Sequence, residues 1–539
     1  MNFRNRFAAL AGSAVVLAFA GACNPDLEVT NPNAPDVARA ISTPSDVRQL
    51  IGSSYNTWYL GMQGCAVSPC QPNPGLALEV MGDVATMAYG NFGARFNGQE
   101  PRLAYNNSSA AGDGRVASQP YDNMYGALGA ANDGLKAIER GVRVAASSSA
   151  PDETEQFQAF AWMIQGLSLG FQALVFNEGF VVLEDTPDAS AVLQPYTAVN
   201  AAAVASLDKA IAAANGKSWS IPQEFTTTAL NLTAANMVRM ANTMAARQLA
   251  YVPRTAAENA GVNWARVLTY ANAGISTGTS FNLQVQGDGG NTWYDILKGY
   301  TNLESWVRVD QRIIHQADPA TQPLVFTSTA APPRAVPADL RFARGTPDAS
   351  GNVKQPGADF WFNQVIPYDP ARGVYFFSNW SHARYVEHSY EVDAPFLTVA
   401  PYVLAAENDL LIAEALVRTN GDKARAASLV NKTRVGRGGL PPVSAATANN
   451  ELLGAIFYER DVELWGTGAG IGWMNRRRID ASVTHMGVNI GNIWAFRGGS
   501  NLQKGTPRSL PVPAKELETL NLKVYTFGGN SPNPVFPET

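Results

Sequence analysis

From Asp152 to Asn177 the spacing predicts a helix with no polar side. Its centre reads AWMIQGLSLGFQALVF, and Glu178 is the only charged residue between Ala161 and Val182. A helix that is apolar all round must be covered all round, by lipid or by other helices. Gln165, Gln172, Asn177 and Glu178 lie inside the run and no basic interfacial flank accompanies it, which argues against a membrane span. The helix therefore has to be buried between two others, and the fold has to be built of helices in succession.

Helical periodicity supplies the neighbours. Thr43 followed by Pro44 reads as an N-cap with proline at the first helical position, opening a helix to about Trp58. Tyr121, Tyr125, Leu128, Asn132, Leu135 and Ile138 recur at spacings of three and four over Pro120–Gly141. Further helices are expected over 192–215, 230–252, 262–277, 401–419, 421–435 and 447–465. Thr419-Asn420-Gly421-Asp422 reads as a tight helix-to-helix turn, with Gly for the C-cap and Asp for the next N-cap. Between 278 and 400 the period fails, and from about 490 the tail is rich in Gly and Pro. The pattern predicts a mainly α chain: a tetratricopeptide-like helical-repeat scaffold interrupted by a long irregular, loop-rich insertion. Helical pairs cover about 44–280 and 401–480, the insertion about 281–400 and an irregular section about 490–539, all within one globular domain, 44–539.

The first residues have another purpose. Arg4 and Arg6, an uncharged run from Phe7 to Ala22 and the small residues Ala20-Gly21-Ala22 make residues 1–22 a signal peptide. Cys23 directly follows, placed to carry acyl chains, each buried CH2 of which is worth roughly 0.8 kcal/mol to membrane attachment. Residues 23–43, polar and proline-bearing, then read as lipid anchor and flexible tether. Cys65 and Cys70 are the remaining cysteines of three. In an oxidising envelope they are expected to close a small disulfide loop; neither fits a zinc-ligand pattern. The net charge is −5 and the longest basic run is Arg476-Arg477-Arg478, so nucleic acid is not the expected partner.

Five stretches carry a resemblance: Cys23-Asn-Pro-Asp-Leu-Glu; YDNMYGALGAAN over Tyr121–Asn132; the Ala-rich run Ala159–Gly179; LLIAEA over Leu410–Ala415 with Asn431-Lys432-Thr433-Arg434 and Gly439-Leu440-Pro441; and Glu459-Arg460-Asp461-Val462-Glu463-Leu464 through Arg476-Arg477-Arg478 to RSLPVP over Arg508–Pro513. In order and spacing the chain resembles the SusD/RagB family of outer-membrane lipoproteins, which capture nutrients for a partner TonB-dependent transporter. After Leu464 the chain departs from the family's usual aromatic-Glu-Gly-aromatic run and reads WGTGAGIGWMNRRR. The resemblance implies a lipid-anchored protein on the outer membrane, facing the cell exterior. It implies an oligosaccharide or other large nutrient as ligand, a SusC-like transporter as partner, no cofactor or metal, and no catalysis. It also places ligand contacts in the early loop, on Tyr89, Asn91, Phe92 and Arg95.

Motifs that look catalytic have plainer readings. Gly166-Leu-Ser168-Leu-Gly170 matches a nucleophile elbow, but that motif needs a strand before its serine, and this one is expected in mid-helix as a small-residue packing face. Gly466-Thr-Gly468-Ala-Gly470-Ile-Gly472 follows a helix and lacks the Lys-Ser/Thr ending of a phosphate loop; it reads as a flexible turn. His315, His382, His388 and His485 form no ligand spacing. Carboxylates are plentiful and none is singled out, which leaves an envelope glycosidase as a rival reading; a transporter lid without its own ligand specificity is a third. The densest chemical signal is aromatic: nine of 26 residues over 360–385 are Phe, Trp or Tyr, against 10% for the chain. Aromatic planes with nearby polar groups suit the C–H faces and hydroxyls of sugars. The candidate ligand residues there are Trp361, Tyr375 and Trp380, with Trp293, Tyr294 and Trp306 in the same irregular section.

Overall fold

The computed structural model describes residues 42–64, 73–87, 94–98, 102–108, 115–187, 192–278, 281–324, 333–365, 377–479, 482–490 and 502–529, and of Arg95 and Arg115 the backbone only. The chain divides between Ser42 and Thr43, and the elements below all belong to the second unit. Cys23, Cys65, Cys70, Tyr89, Asn91, Phe92 and Tyr375 lie outside the described residues, as does the signal segment.

Helix α1 (Pro44–Gln63) begins where the sequence places it. Thr43 Oγ1 accepts from the Asp46 N–H at 3.3 Å while Asp46 Oδ2 accepts from the Thr43 N–H at 3.2 Å, a reciprocal cap. It runs past Trp58 because Tyr59 and Met62 continue its buried face. The array continues with α2 (Pro74–Met81), α3 (Arg115–Glu139), α4 (Thr154–Val175), α5 (Tyr196–Ala214), α6 (Ala234–Tyr251) and α7 (Trp264–Ala273). The irregular section holds α8 (Ile296–Thr301) and α9 (Gln311–Ala317), and the array resumes with α10 (Ala405–Arg418), α11 (Lys423–Arg434), α12 (Asn449–Val462) and α13 (Ile471–Arg476). Successive neighbours pack: α1 on α3, α3 on α4, α4 on α5, α5 on α6, α6 on α7, α7 on α10, and α10 on α11 and α12. This is the succession of helical pairs that the periodicity implies.

The apolar helix α4 lies between α3 and α5 and is buried from its first turns to its end. Among the described residues no helix is long and apolar enough to cross a membrane. A Cβ on Gly166 would sit 2.5 Å from Leu207 Cγ of α5, and one on Gly170 would sit 2.2 Å from Gln248 Nε2 of α6. The GxSxG run is thus the seam where three helices approach, and Ser168 is fully buried in it.

Four boundaries differ from the sequence reading. Helix α3 starts at Arg115, with Pro120 inside it; a proline so near the start forfeits one backbone bond, while Val116, Ala117 and Tyr121 bury on either side. Asn420 rather than Gly421 takes the left-handed turn (φ 52°), although Asp422 does cap α11 through the Arg425 N–H at 2.9 Å. The stretch before Ala405 is a strand rather than helix, and the C-terminal section contains a short helix, Ala514–Thr519. The glycine run after α12 is a packed turn, not a flexible one. Gly466, Gly468 and Gly470 hold φ of 71°, 71° and 94°, and a Cβ on Gly472 would lie 2.0 Å from Val84 Cγ2.

The sheets are antiparallel pairs of short strands. They are β1 (Ala85–Met87) with β5 (Val307–Val309), β2 (Glu178–Phe180) with β3 (Leu193–Pro195), β4 (Leu283–Gln286) with β8 (Val399–Val403), and β6 (Phe360–Phe362) with β7 (Trp380–His382). Among the described residues three of the four pairs draw strands from 281–400, so the irregular section is held by short ladders, one of them to β1, and packs on an apolar core shared with α2 and α12. That core includes Val307, Val309, Phe342, Phe360, Phe362, Trp380 and Trp465.

Candidate functional site

Strand β6 sets the site by alternation. Phe360 and Phe362 point into the core, so Trp361 between them must take the other face; it is half-buried and packs on the core's edge. Its Nε1 donates to the Gln355 carbonyl at 3.0 Å, which fixes the plane of the indole. Lys354 Nζ stands 5.5 Å from the ring centroid and is held there by Glu304 Oε1 at 2.6 Å. Glu304 belongs to the turn between α8 and β5, and two residues on is Trp306, also half-buried.

Trp306 continues the surface. Its ring lies 5.6 Å from Tyr300 at 35°, and Tyr300 lies 5.1 Å from Tyr390, which is exposed. Tyr390 stands edge-on to Phe396 at 4.9 Å. Burial, then the Tyr300 hydroxyl, pushes the Tyr390 phenol well up, so it stays protonated and able to donate. The result is a strip of four aromatic rings, Trp361, Trp306, Tyr300 and Tyr390, with an ion pair set among them. Rings half open to solvent beside polar donors and acceptors offer stacking and hydrogen bonds to one ligand.

Three other candidates lie inside. Trp293 packs 5.6 Å from Tyr59 and 6.0 Å from Tyr55 and is 8% exposed. Tyr294, 3% exposed, joins a small cluster with Ile296 and Phe396. Trp380, 2% exposed, stands edge-on to Phe342 and Phe362 and forms the floor under the β6–β7 pair. Arg95 lies in a short helix, Ala94–Gly98. Of the candidates whose side chains are described, Trp306 and Trp361 are therefore the two that lie on the surface of the core cluster. Sequence reasoning missed Tyr300, Tyr390, Glu304 and Lys354, which stand outside the dense aromatic run. The Phe-Trp-Phe alternation at 360–362 was the available signal for separating Trp361 from its neighbours.

No family model and no curated protein sequence matches the chain. Solved structures do. A SusD superfamily protein from Parabacteroides distasonis aligns with a TM-score of 0.59 at 14% identity, covering 88% of this chain and 98% of that one. The surface glycan-binding protein A from Bacteroides uniformis aligns with a TM-score of 0.55 at 14% identity, covering 89% and 98%. A SusD-like carbohydrate binding protein from Bacteroides vulgatus aligns with a TM-score of 0.51 at 14% identity, covering 81% and 83%. The chain has the mainly α, SusD-like fold.

Proposed function

We propose that this chain is a cell-surface glycan-binding lipoprotein that captures an oligosaccharide, or another large nutrient, and hands it to a partner TonB-dependent outer-membrane transporter of the SusC-like kind. The observation that carries the reading is the aromatic strip of Trp361, Trp306, Tyr300 and Tyr390 on a fold shared with proteins described as carbohydrate- or glycan-binding. The strip presents faces and hydrogen-bonding groups, and the Glu304 carboxylate within it is engaged by Lys354. The role is binding and not catalysis.

Trp361→Ala and Trp306→Ala should each weaken binding of a glycan held by the wild type by about tenfold or more, the loss expected when a central aromatic anchor is truncated. Affinity electrophoresis over a soluble polysaccharide panel measures it, with circular dichroism to check the fold. Unchanged retention in both variants removes the strip from the site. Release of reducing sugar by the purified protein would instead favour the glycosidase. Co-purification with the transporter but no glycan affinity would favour a lid.

The anchor is a separate part of the reading, supported by the run of residues 1–22 before Cys23. Tethering keeps a capture domain at high local concentration beside its channel. Cys23→Ala should therefore leave glycan binding intact, move the protein from the membrane to the soluble fraction, and abolish uptake. Wild-type uptake by that variant means the anchor is incidental.

A further inference from the structure

The Trp361 end of the strip carries three cations, of which only Lys354 is paired with a carboxylate among the described residues. Arg344 Nη2 donates to the carbonyls of Pro337 at 2.7 Å and Ala338 at 2.5 Å, leaving the N–H groups on Nε and Nη1 without a bond among the described residues. The same residue is tied to the indole: its main-chain N–H donates to Gln355 Oε1 at 2.7 Å, and the Gln355 carbonyl accepts from Trp361 Nε1. Arg334 Nη1 donates to the Gly345 carbonyl, next to Arg344, at 3.0 Å. Lys354 sits over the Trp361 ring. Arg344 and Lys354 are exposed.

Among the described residues the nearby acids leave Arg344 and Arg334 without an ion pair. Glu304 engages Lys354 alone of the three. Asp348 turns its Oδ1 onto the N–H groups of Ser350 and Asn352 in its own loop, at 2.8 and 2.9 Å. Asp359 is buried and paired with Arg437 at 2.8 Å. Glu391 Oε1 accepts from the Ser305 N–H at 3.4 Å, between Glu304 and Trp306, and so engages neither arginine. Local positive charge on a chain of net charge −5 stands against the sign of the whole and selects for an anionic partner.

We infer that the strip binds an anionic glycan, with uronate carboxylates or sulfate esters against Arg344, Arg334 and Lys354 and the adjoining sugar face on Trp361. The inference rests on the reading of the strip as a glycan platform and names the class of its ligand. Guanidinium and ammonium groups bind carboxylate and sulfate through charge-assisted hydrogen bonds, whereas a neutral sugar gains little from an uncompensated charge.

The test uses the whole mature chain and four polysaccharides: polygalacturonate for carboxylate, dextran sulfate for sulfate, and galactan and unsubstituted dextran as neutral counterparts. The wild type should be retained by one anionic polymer and by neither neutral one, and which polymer retains it distinguishes carboxylate from sulfate. Arg344→Gln and Lys354→Gln should each weaken that retention about tenfold, and raised salt should weaken it further. Trp361→Ala should abolish it. Equal retention of a neutral glycan, unmoved by Arg344→Gln and by salt, overturns the anionic class and leaves the platform standing. Retention of the anionic polymer that Trp361→Ala does not change marks general charge attraction and overturns the inference. Retention of none of the four overturns the inference; if Trp306→Ala and Trp361→Ala also leave every other glycan unaffected, the platform reading fails with it.

Discussion

Glu414→Ala should cost the fold about 3–5 kcal/mol, the loss typical of removing one partner from a buried ion pair, seen as a large fall in the urea midpoint. Glu414 on α10 is fully buried. Its Oε1 accepts from Arg478 Nη1 at 2.9 Å and Arg418 Nε at 2.7 Å, and its Oε2 from Arg460 Nη1 at 2.5 Å and Arg478 Nη2 at 3.0 Å. Burial alone would raise this carboxyl; Arg478, Arg460 and Arg418 together hold it well below the usual carboxylate range. Truncation leaves Arg460 and Arg478, both 0% exposed, without their counter-charge. Neither has an easy way out, because both guanidiniums are walled by Tyr251 and Phe457 at 5.3 to 5.6 Å. The carboxylate joins α10, α12 and the residues after α13, so its loss loosens the far end of the helix array. Arg418→Ala should cost much less, since that side chain is 14% exposed and the carboxylate keeps its other partners. A Glu414→Ala midpoint within about 0.5 kcal/mol of wild type, the range of ordinary surface changes, would refute this account.

That cluster shows where sequence reading stops. Arg476-Arg477-Arg478 looks like the longest basic run of the chain, yet none of it is a basic surface. Arg476 pairs with Asp461 at 2.9 Å, Arg477 donates to the carbonyls of Tyr251, Pro253 and Arg508, and Arg478 belongs to Glu414. Their partners lie up to hundreds of residues away, and nothing local encodes them. The helices were legible because their signals are local: Thr43 and Asp422 cap, and the uncharged run in α4 demands cover on both sides. The aromatic count over 360–385 located the right region but weighed Trp380 and Trp361 alike. One is a floor and the other a face, and a two-residue period separates them. Tyr300, Tyr390, Glu304 and Lys354 reach the same strip only through tertiary packing. The glycine run after α12 misled in the opposite sense, since glycine there serves close approach to α2 and Val84, which stiffens the turn.

Between pH 6.5 and 4.5 buried histidines and a buried glutamate should pull the stability in opposite directions, and single substitutions should separate them. Asp295 N–H donates to His388 Nε2 at 3.0 Å, and Arg434 Nη1 lies 2.9 Å from His485 Nε2. A guanidinium can only donate, so both imidazoles accept at Nε2 and must be neutral. Burial lowers His388 to about 4 despite Asp295. Burial, with Arg434 and Arg341 adding to it, lowers His485 to about 3. Below pH 6.5 the unfolded chain takes up protons that the folded one refuses, so folding is lost as pH falls, by about 2 kcal/mol for each histidine across this window. Glu79 acts in reverse. Burial pushes it up to about 7 although the Gly470 N–H donates to its Oε1 at 3.0 Å. The folded state therefore binds its proton first, and stability rises by about 2 kcal/mol over the same fall in pH. Burial, with Arg384, Lys298 and Arg437 adding to it, holds the His382 imidazole well below its ordinary range as well, so the histidine losses outweigh the one gain and the wild type is weaker at pH 4.5 than at pH 6.5. Glu79→Gln keeps an oxygen for Gly470 but removes the titration, so it should raise stability at pH 8 and deepen the loss on acidification by about 2 kcal/mol. His388→Gln, whose amide oxygen can still accept from Asp295, should reduce that loss by about 2 kcal/mol. Urea midpoints of the three proteins at pH 4.5, 6.5 and 8 decide it: parallel curves would mean that these groups titrate alike in the folded and unfolded chains.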